Sequence, residues 1–351
     1  MRNPGPYLRK NLPKIYYFLT GLVYLSIKLI RPYSIYITDS LGGSFKTYLN
    51  NSDISSNVSK LKSNLDYESE ETVDVIIKRI MHYPDESNKN KISKREEIAG
   101  RLLPSETKQT RKDIDKKLKS YRKKYKCLSK HIEESVFYYF HGLSLLPAEV
   151  AAYIDDQDFI DLGAFIGDSA IALMEYRYKK IFSVEMSEKS ILKYNFNLKQ
   201  CGIGKDKFEI INACIISKDE DGSVMLADTG LSGFSLFRRT GKYDEISVEQ
   251  KSLDYLVEKY KISPRFIKVD IEGNSLEFVK GAKKTLIRFR PVLSIAIYHN
   301  PYEFFEVKPL LEEFLNEYVF MIRKLAAGIK NNLCHSEVVL LGYPKEILNK
   351  C

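Results

Sequence analysis

Residues 159–185 combine an acid and two glycines at a spacing typical of a ligand-binding turn. The segment begins FIDLGAFIGDSA, so that an apolar run leads into Asp161, and Gly163 and Gly167 follow four residues apart. Glycines let the backbone approach a ligand closely where a strand gives way to a helix. The pattern predicts a strand, a tight turn and a helix that cradle a nucleotide-type ligand, although an ordinary strand-to-helix turn of an α/β domain has the same pattern.

A second acid stands at the end of the next apolar run. Glu185 closes the run IFSVE and lies 24 residues beyond Asp161. In nucleotide-binding units of strand, helix and strand, an acid about 20 residues after the turn accepts hydrogen bonds from a ribose diol. We therefore expect cofactor contacts from this acid and from the turn, namely Asp161, Gly163, Ala164, Gly167, Asp168 and Glu185.

The residue between the two glycines bears on which cofactor fits. Phe165 stands where the dinucleotide fingerprint needs a glycine, and its side chain would keep a pyrophosphate away from the backbone. NAD is therefore disfavoured. S-adenosyl-L-methionine has a ribose but no phosphate, and its amino-acid end offers an ammonium and a carboxylate. The sequence favours S-adenosyl-L-methionine as the cofactor.

The elements that must position these residues alternate between strand and helix. Residues 208–214 read as the third strand, which would bring Asn212 and Ala213 near an adenine ring, because ligands bind beyond the carboxyl ends of parallel strands. Short runs in residues 223–248, broken by glycines, predict a hairpin insertion. The whole alternation predicts a seven-stranded α/β sheet whose last two strands pair antiparallel.

Three polar residues follow the fourth and fifth strands. Asp270 and Glu272 come directly after FIKV, and His299 follows VLSIAI. We predict Asp270 as the base or substrate orienter, with His299 next and Glu272 as loop anchor or second carboxylate. The alternative is that all three only cap strand ends. They could also hold a divalent ion, but no spacing demands a metal and none is predicted.

Two features ahead of the glycine turn have both a functional and a structural interpretation. His141 lies among aromatic residues and is either a ligand contact or a satisfied core histidine. Residues 108–130 carry apolar side chains at helical spacing among lysines and arginines, which predicts an amphipathic basic helix. That helix either lies on the domain with a solvated face or presents an anion-binding stripe.

With these motifs in place, residues 133–345 resemble the FkbM family of S-adenosylmethionine-dependent methyltransferases. The stretches that carry the resemblance are FIDLGAFIGDSA, IFSVE, FIKVDIEGNSLEFVKGA, RPVLSIAIYHNPYEFFEVKPLLEEF and SEVVLLGYP. The resemblance implies a class I methyltransferase (Rossmann-like) fold with the last strand antiparallel. It further implies O-methylation of a hydroxyl on a sugar, a glycan or a secondary metabolite, as in polysaccharide biosynthesis.

Composition separates the chain into a basic extension and a neutral domain. Residues 1–150 carry 27 Lys and Arg against 17 Asp and Glu, whereas residues 151–351 carry 28 against 29. The asymmetry points either to an acidic partner of the extension or to solubility alone. We expect a mainly helical extension over residues 1–130 and the methyltransferase domain over residues 131–351. The five cysteines are an odd number without a C-x-x-C pair, which indicates neither a disulfide framework nor a thiolate metal site and fits a cytoplasmic protein.

Residues 1–32 are the candidate for membrane contact. Residues 15–30 are almost continuously apolar, but a spanning helix needs about 20 such residues. An interfacial amphipathic helix, a short signal anchor and a helix packed on the domain stay open as interpretations. Either membrane interpretation leaves the catalytic domain in the cytosol.

Two other functions are compatible with parts of the sequence. The tripeptide Asn300-Pro301-Tyr302 is similar to the Asn-Pro-Pro-Tyr box of adenine methyltransferases, but it lacks one proline and follows the fifth strand instead of the fourth. Nucleic-acid N-methylation is therefore the alternative function, and a non-catalytic binding module is the third. We expect a small-molecule or glycan acceptor as the partner.

Overall fold

The computed structural model describes most of the region that the sequence assigns to the methyltransferase domain and parts of the extension. The described residues are 34–37, 41–51, 53–81, 91–94, 102–128, 131–218, 223–228, 244–326 and 336–348. Residues 1–32, the candidate membrane segment, lie outside them. Among the described helices, none has the length and apolar character needed to cross a membrane.

A seven-stranded sheet forms the centre of the molecule. Its strands are β3 Asp158–Leu162, β4 Lys180–Glu185, β5 Phe208–Asn212, β9 Pro264–Val269, β10 Val292–Ala296, β11 Tyr318–Lys324 and β12 Val338–Pro344. Their order is β11-β12-β10-β9-β3-β4-β5. The pairs from β10 to β5 are parallel, while β12 is antiparallel to both β10 and β11. The sheet predicted from the sequence is thereby confirmed.

Five further strands of the described residues lie outside this sheet. They are β1 Ser34–Ile37, β2 Lys91–Lys94, β6 Cys214–Ile215, β7 Ser223–Asp228 and β8 Asp244–Lys251. Strands β7 and β8 pair antiparallel, which confirms the predicted hairpin insertion between the third and fourth strands of the main sheet.

The helices alternate with the strands and cover both faces of the sheet. They are α1 Leu41–Asn51, α2 Ile54–Lys62, α3 Tyr67–Ile80, α4 Lys108–Lys124, α5 Glu134–Phe137, α6 Ala148–Ile154, α7 Asp168–Ala172, α8 Glu188–Gln200, α9 Leu253–Lys259, α10 Ser275–Gly281, α11 Lys283–Phe289 and α12 Pro301–Glu312. Because helices bury both faces, the central parallel strands are apolar along almost their whole length.

Two apolar layers fill the space between the sheet and the helices. Phe159 and Ile160 are neighbours on β3 but belong to different layers, because successive side chains of a strand point to opposite faces. Helices α1 to α3 add side chains such as Ile76 to the layer of Ile160. Helix α4 adds Ile114 and Leu118 to the layer of Phe159 and exposes its charged side chains, which confirms the amphipathic helix.

Polar contacts also attach the extension to the sheet. Arg323 on β11 donates to Asp66 Oδ2 at 2.6 Å and to Ser69 Oγ at 2.7 Å, and Ser69 Oγ in turn accepts from the backbone of Ile322. Lys308 Nζ donates to the carbonyl of Ser63 at 2.6 Å. The described helices of the extension thus share the core of the sheet, and the boundary expected at residue 130 stays a prediction.

Candidate active site

The first glycine of the turn is required by the close approach of two strand ends. Gly163 has a φ of +78°, and a Cβ atom at this position would stand 1.9 Å from the carbonyl oxygen of Asp270. The N–H groups of Gly163 and Ala164 both donate to the carbonyl of Val184, at 2.9 and 3.1 Å. Backbone contacts on both sides therefore hold the turn between β9 and β4.

The second glycine is required by helix packing. Gly167 has a φ of +85° and precedes α7, and a Cβ atom there would meet Leu198 Cδ1 at 2.4 Å. The neighbouring side chain of Tyr194 would be 3.0 Å away. Gly167 therefore lets α7 lie against α8, and this contact aims Asp168 and Ser169 at the space beyond the strand ends.

A cavity of about 300 Å³ opens beyond the carboxyl ends of β3, β4, β5 and β9. Of the residues predicted from the sequence, those in its wall are Gly163, Asp168, Glu185, Ala213, Asp270 and Glu272. The others are not part of the wall: Asp161, Ala164, Gly167, Asn212 and His299. The strand-end rule thus brings the predicted residues to one edge of the sheet, while about half of them support the cavity without lining it.

The carboxylate of Glu185 is fixed by two backbone groups at the cavity wall. Phe165 N–H donates to Oε2 and Ser187 N–H donates to Oε1, each at 2.8 Å. Burial raises the pKa of Glu185, and these two hydrogen bonds oppose that rise. A carboxylate accepts up to about four hydrogen bonds, so lone pairs remain for a ligand. Asn212 supports the same turn, because its amide donates to the carbonyls of Glu185 and Met186, both at 3.0 Å.

Asp161 is held by a buried lysine behind the cavity. Its side chain is fully buried, and Lys268 Nζ lies 2.9 Å from its Oδ1. The two residues are register partners on β3 and β9, and Lys268 also donates to the carbonyl of Gly163 at 2.8 Å. Burial lowers the pKa of Lys268, but the charges of Asp161 and Asp270 outweigh this effect and raise it. A lone lysine inside the apolar run FIKV was the sequence signal for this pair.

Asp168 is the acid that opens α7. It lies in the cavity wall and is largely buried. Burial raises its pKa to about 6, against the opposing effect of Lys268. Asp168 is therefore protonated in part of the molecules near neutral pH when no positively charged ligand is bound beside it.

Asp270, His299 and Glu303 form a chain of alternating charge. His299 Nε2 lies 3.2 Å from Asp270 Oδ1, and His299 Nδ1 lies 3.3 Å from Glu303 Oε2. Glu303 is fully buried and also accepts a hydrogen bond from Ser275 N–H at 2.7 Å. Glu272 stands 3.7 Å from the same Nε2 atom. Both nitrogens of the imidazole thus lie within ion-pair distance of a carboxylate.

The pKa shifts follow from this arrangement. Burial lowers the pKa of His299, but the carboxylates of Asp270 and Glu303 raise it well above its usual range. Burial raises the pKa of Asp270, but His299 and Lys268 lower it to about 2. His299 is therefore an imidazolium at neutral pH, and Asp270 is a carboxylate of low basicity. Asp270 is therefore a weak proton acceptor, and His299 already carries protons on both ring nitrogens.

Sequence reasoning missed two acids of the cavity wall, Glu133 and Glu337. Glu133 precedes α5 and Glu337 precedes β12. Burial and the charges of Glu337, Asp168 and Asp270 raise the pKa of Glu133 to about 7. Glu337 lies in the stretch SEVVLLGYP, where the resemblance assigns it no role, and Glu133 lies outside the quoted stretches. Within the described residues, no group of three or more His, Cys, Asp or Glu is arranged to hold a metal ion.

Both the nitrogen and the oxygen of the Asn300 side-chain amide make hydrogen bonds within the fold. Its Nδ2 donates to the carbonyl of Gly273 at 3.1 Å, and its Oδ1 accepts from Glu303 N–H at 2.9 Å as the cap of α12. A methyl-accepting base would need these same groups. The Asn300-Pro301-Tyr302 tripeptide therefore acts as a helix start in this fold.

Comparisons with known proteins bear on this site. Residues 161–326 match the family model of the methyltransferase FkbM domain. The methyltransferase FkbM from Methylobacillus flagellatus KT aligns with a TM-score of 0.52 and 15% identity over 86% of this chain. The aligned part spans 61% of that protein's length, and at this identity the likeness shows the fold alone. No curated protein matches the sequence.

Two ligand-bound O-methyltransferases align more weakly. The enzyme from Bacillus cereus in complex with SAH has 15% identity and a TM-score of 0.37 over 65% of this chain and 100% of that chain. TomG from Streptomyces achromogenes, involved in tomaymycin synthesis and solved with SAM, has 11% identity and a TM-score of 0.38 over 63% and 87%. The resemblance seen in the sequence is confirmed by the family model, because residues 161–326 match that of the methyltransferase FkbM domain.

Proposed function

We propose that the protein is an S-adenosyl-L-methionine-dependent methyltransferase that methylates a hydroxyl oxygen of a sugar, a glycan or a secondary metabolite. The observation that supports this best is the carboxylate of Glu185, which two backbone N–H groups fix at 2.8 Å in the cavity wall. Its remaining lone pairs suit the two hydroxyls of a ribose. The FkbM domain match supports the methyl-transfer chemistry independently.

The residues of the cavity fit the cofactor's other parts. Ala213 and Ile215 give an apolar surface beyond β5 for the adenine ring. Asp168 and Ser169, at the start of α7, would bind the amino-acid end. The cofactor carries positive charge on its sulfonium and ammonium groups, which suits a wall rich in carboxylates. When bound, it supplies an electrophilic methyl group to the acceptor oxygen.

The chain from Asp270 to Glu303 would position the reacting end of the cavity. His299 fixes the orientation of Asp270 from behind the wall, and Glu303 fixes His299. Holding the acceptor oxygen near the methyl carbon supplies much of the rate, because the reaction then becomes effectively intramolecular. Asp270, with its pKa lowered to about 2, is better suited to orient the acceptor than to remove its proton.

Calorimetry with S-adenosyl-L-methionine and its demethylated product tests the donor site. We expect Glu185→Ala to weaken binding by about 1.5 to 3 kcal/mol, because a hydrogen bond to a charged group is lost. Glu209→Ala is the matched control, since Glu209 lies on the neighbouring strand and pairs with Lys180 at the surface. Equal affinity of both variants would show that Glu185 does not hold the ribose.

The acceptor is identified by incubation with isotope-labelled methyl donor and a cell glycan extract, followed by mass spectrometry of the labelled products. Label on a sugar or metabolite oxygen is the expected result. Label in added RNA or DNA instead would favour the alternative, nucleic-acid N-methylation. Donor binding with no transfer to any acceptor would favour a binding module.

A further inference from the structure

Four carboxylates surround the end of the cavity that lies toward β10 and β12, and three of them have partners. Asp270 and Glu272 face the imidazole of His299 at 3.2 and 3.7 Å. Glu337 accepts a hydrogen bond from the phenol of Tyr298 at 3.3 Å. The fourth is Glu133. Its carboxylate makes no hydrogen bond or ion pair with the part of the chain that the structure describes.

The position of Glu133 is nevertheless well defined. Its backbone is extended, with φ −103° and ψ 157°, and its carbonyl accepts from Phe137 N–H at 2.9 Å at the start of α5. Helix α5 packs against α7, whose first residue, Asp168, is in the same cavity wall. Although its side chain is more than a third exposed, the surrounding protein and the charges of Glu337, Asp168 and Asp270 raise its pKa to about 7. Glu133 is thus an available carboxylate on a fixed backbone.

His141 provides a second, independent observation at this end of the cavity. It lies in the cavity wall, is 8% exposed, and its Nε2 atom has no hydrogen-bond partner among the described residues. Burial and the charge of Lys268 lower the pKa of His141 to about 3, so the ring is neutral. Buried polar groups are nearly always paired in native proteins. A polar group of a bound ligand is the natural partner for this nitrogen.

The backbone holds His141 in place against its own preference. Its φ is +55°, in the left-handed region that favours glycine, and its carbonyl accepts from Ser294 Oγ on β10 at 2.5 Å. Next to it, Gly142 has a φ of +93°, and a Cβ there would meet Leu341 Cδ2 at 2.6 Å. Strained backbone of this kind persists where surrounding contacts enforce it, often at functional sites.

We propose that Glu133 is the catalytic residue that removes the proton from the acceptor hydroxyl, while His141 binds that hydroxyl in the cavity wall. This inference rests on the proposed function. The hydroxyl proton passes to the carboxylate of Glu133, and the oxygen forms the new bond to the methyl carbon. The carbon–sulfur bond breaks with its electron pair left on sulfur. The products are a methyl ether, the neutral thioether and a protonated Glu133.

The choice among the four acids follows from their partners. Asp270 lies beside the imidazolium of His299, which lowers its pKa. Glu272 stands 3.7 Å from the same ring nitrogen, and Glu337 accepts a hydrogen bond from Tyr298. A general base works best when its pKa lies near the working pH and contributes about 10² to 10⁴ in rate. Glu133 meets this condition, and its carboxylate has no ion pair with the residues that the structure describes.

The main test compares Glu133→Gln with Glu306→Gln, a control at an exposed position of α12 away from the cavity. Methyl glycosides serve as hydroxyl acceptors, and formation of the demethylated cofactor is measured. We expect Glu133→Gln to lower kcat by about 10² to 10⁴ and to remove the fall in rate below about pH 7, while calorimetric affinity for the cofactor is unchanged. Glu133→Asp should restore part of kcat. Wild-type turnover in Glu133→Gln would overturn the inference.

If no methyl glycoside is methylated, a measurement that needs no acceptor tests the role of Glu133. NMR titration of isotope-labelled glutamate carboxyls should show one group with a pKa of about 7 that is absent in Glu133→Gln. Titration of Glu133 near the ordinary value of about 4.3 would overturn the inference. Failure of the wild-type protein to bind the cofactor would instead overturn the proposed function, so the two failures are distinguishable.

Discussion

The two ends of the cavity are built by different means. At the end formed by β3, β4 and β5, backbone groups do the holding: two N–H groups fix Glu185, and a glycine allows contact with the carbonyl of Asp270. At the end toward β10 and β12, side chains hold side chains through charge, as in the pair of Asp270 and His299. The hold on Glu185 should therefore depend less on pH than the pairing of Asp270 with His299.

The same division appears in the family match. Glu185 lies within residues 161–326, whereas Glu133, His141 and Glu337 lie outside that range. The other end combines residues inside the matched range, such as Asp270 and His299, with residues from both flanks. We infer that the flanking segments determine which acceptor is methylated.

The largest effect is expected from a side chain in the glycine turn. Gly163→Ala would place a Cβ 1.9 Å from the carbonyl oxygen of Asp270, so the strand ends must separate. We expect a loss of about 4 kcal/mol or more in the free energy of unfolding, measured with urea, together with loss of cofactor binding. Gly202→Ala is the matched control, because Gly202 has a similar φ of +73° but nothing within 4 Å.

The control variant Gly202→Ala should lower the free energy of unfolding only by the strain of a left-handed backbone, about 1 to 2 kcal/mol. Similar losses for the two variants would mean that the contact between β3 and β9 is not rigid. The backbone contacts around Glu185 would then not make that end of the cavity more rigid than the end that contains Asp270 and His299.

A smaller and pH-dependent effect is expected from His299. Its pKa is raised in the folded protein, so its contribution to stability is complete below the unfolded pKa of about 6.5 and is lost as the pH rises through the folded pKa. We expect His299→Gln to destabilise the protein by about 1.5 to 3 kcal/mol near pH 6. The difference from wild type should shrink in alkaline solution, as followed by urea unfolding.

The same pH series in Glu185→Ala serves as the comparison. Because backbone groups hold Glu185, its effect on stability should change little over this alkaline range. A stability difference for His299→Gln that stays constant with pH would show that the imidazole is not charged in the fold.

The smallest effect on the cavity is expected from removal of residues 1–32. We propose that this segment mediates peripheral membrane contact, because it combines a basic start with the apolar residues 15–30. The shortened protein should keep its cofactor affinity within about twofold and sediment less with anionic vesicles. Equal sedimentation of both proteins would remove the membrane proposal.

The sequence predicted the sheet, the glycine turn and the placement of Glu185 because these depend on local patterns. Strand, turn and helix signals each extend over few residues, and the strand-end rule then brings Asp270 and Glu185 to one edge. The prediction that Asp161 contacts the cofactor is untested, but the structure pairs that acid with Lys268. This pairing depends on the register of β3 against β9, which no local pattern specifies.

The end of the cavity toward β10 and β12 was harder to predict, because its residues come from distant parts of the chain. Glu133 and Glu337 are separated by most of the chain and meet only when the sheet has formed. His141 was recognised, but its interpretation depended on whether its ring nitrogens have partners. That question is decided by packing against β10 and by the strained backbone beside Gly142.

Phe165 offers a position for a fluorescent probe of ligand binding in the cavity. It lies in the cavity wall, its ring packs edge-on against that of His131 with centroids 5.7 Å apart, and the chain contains no tryptophan. Phe165→Trp would therefore introduce the only indole fluorophore of the chain, at the end of the cavity that holds Glu185. No other residue would contribute indole emission. Since the Phe165 contact to Glu185 uses the backbone N–H, the substitution keeps that hydrogen bond. Changes in indole emission would then report cofactor arrival in real time, before any acceptor is known.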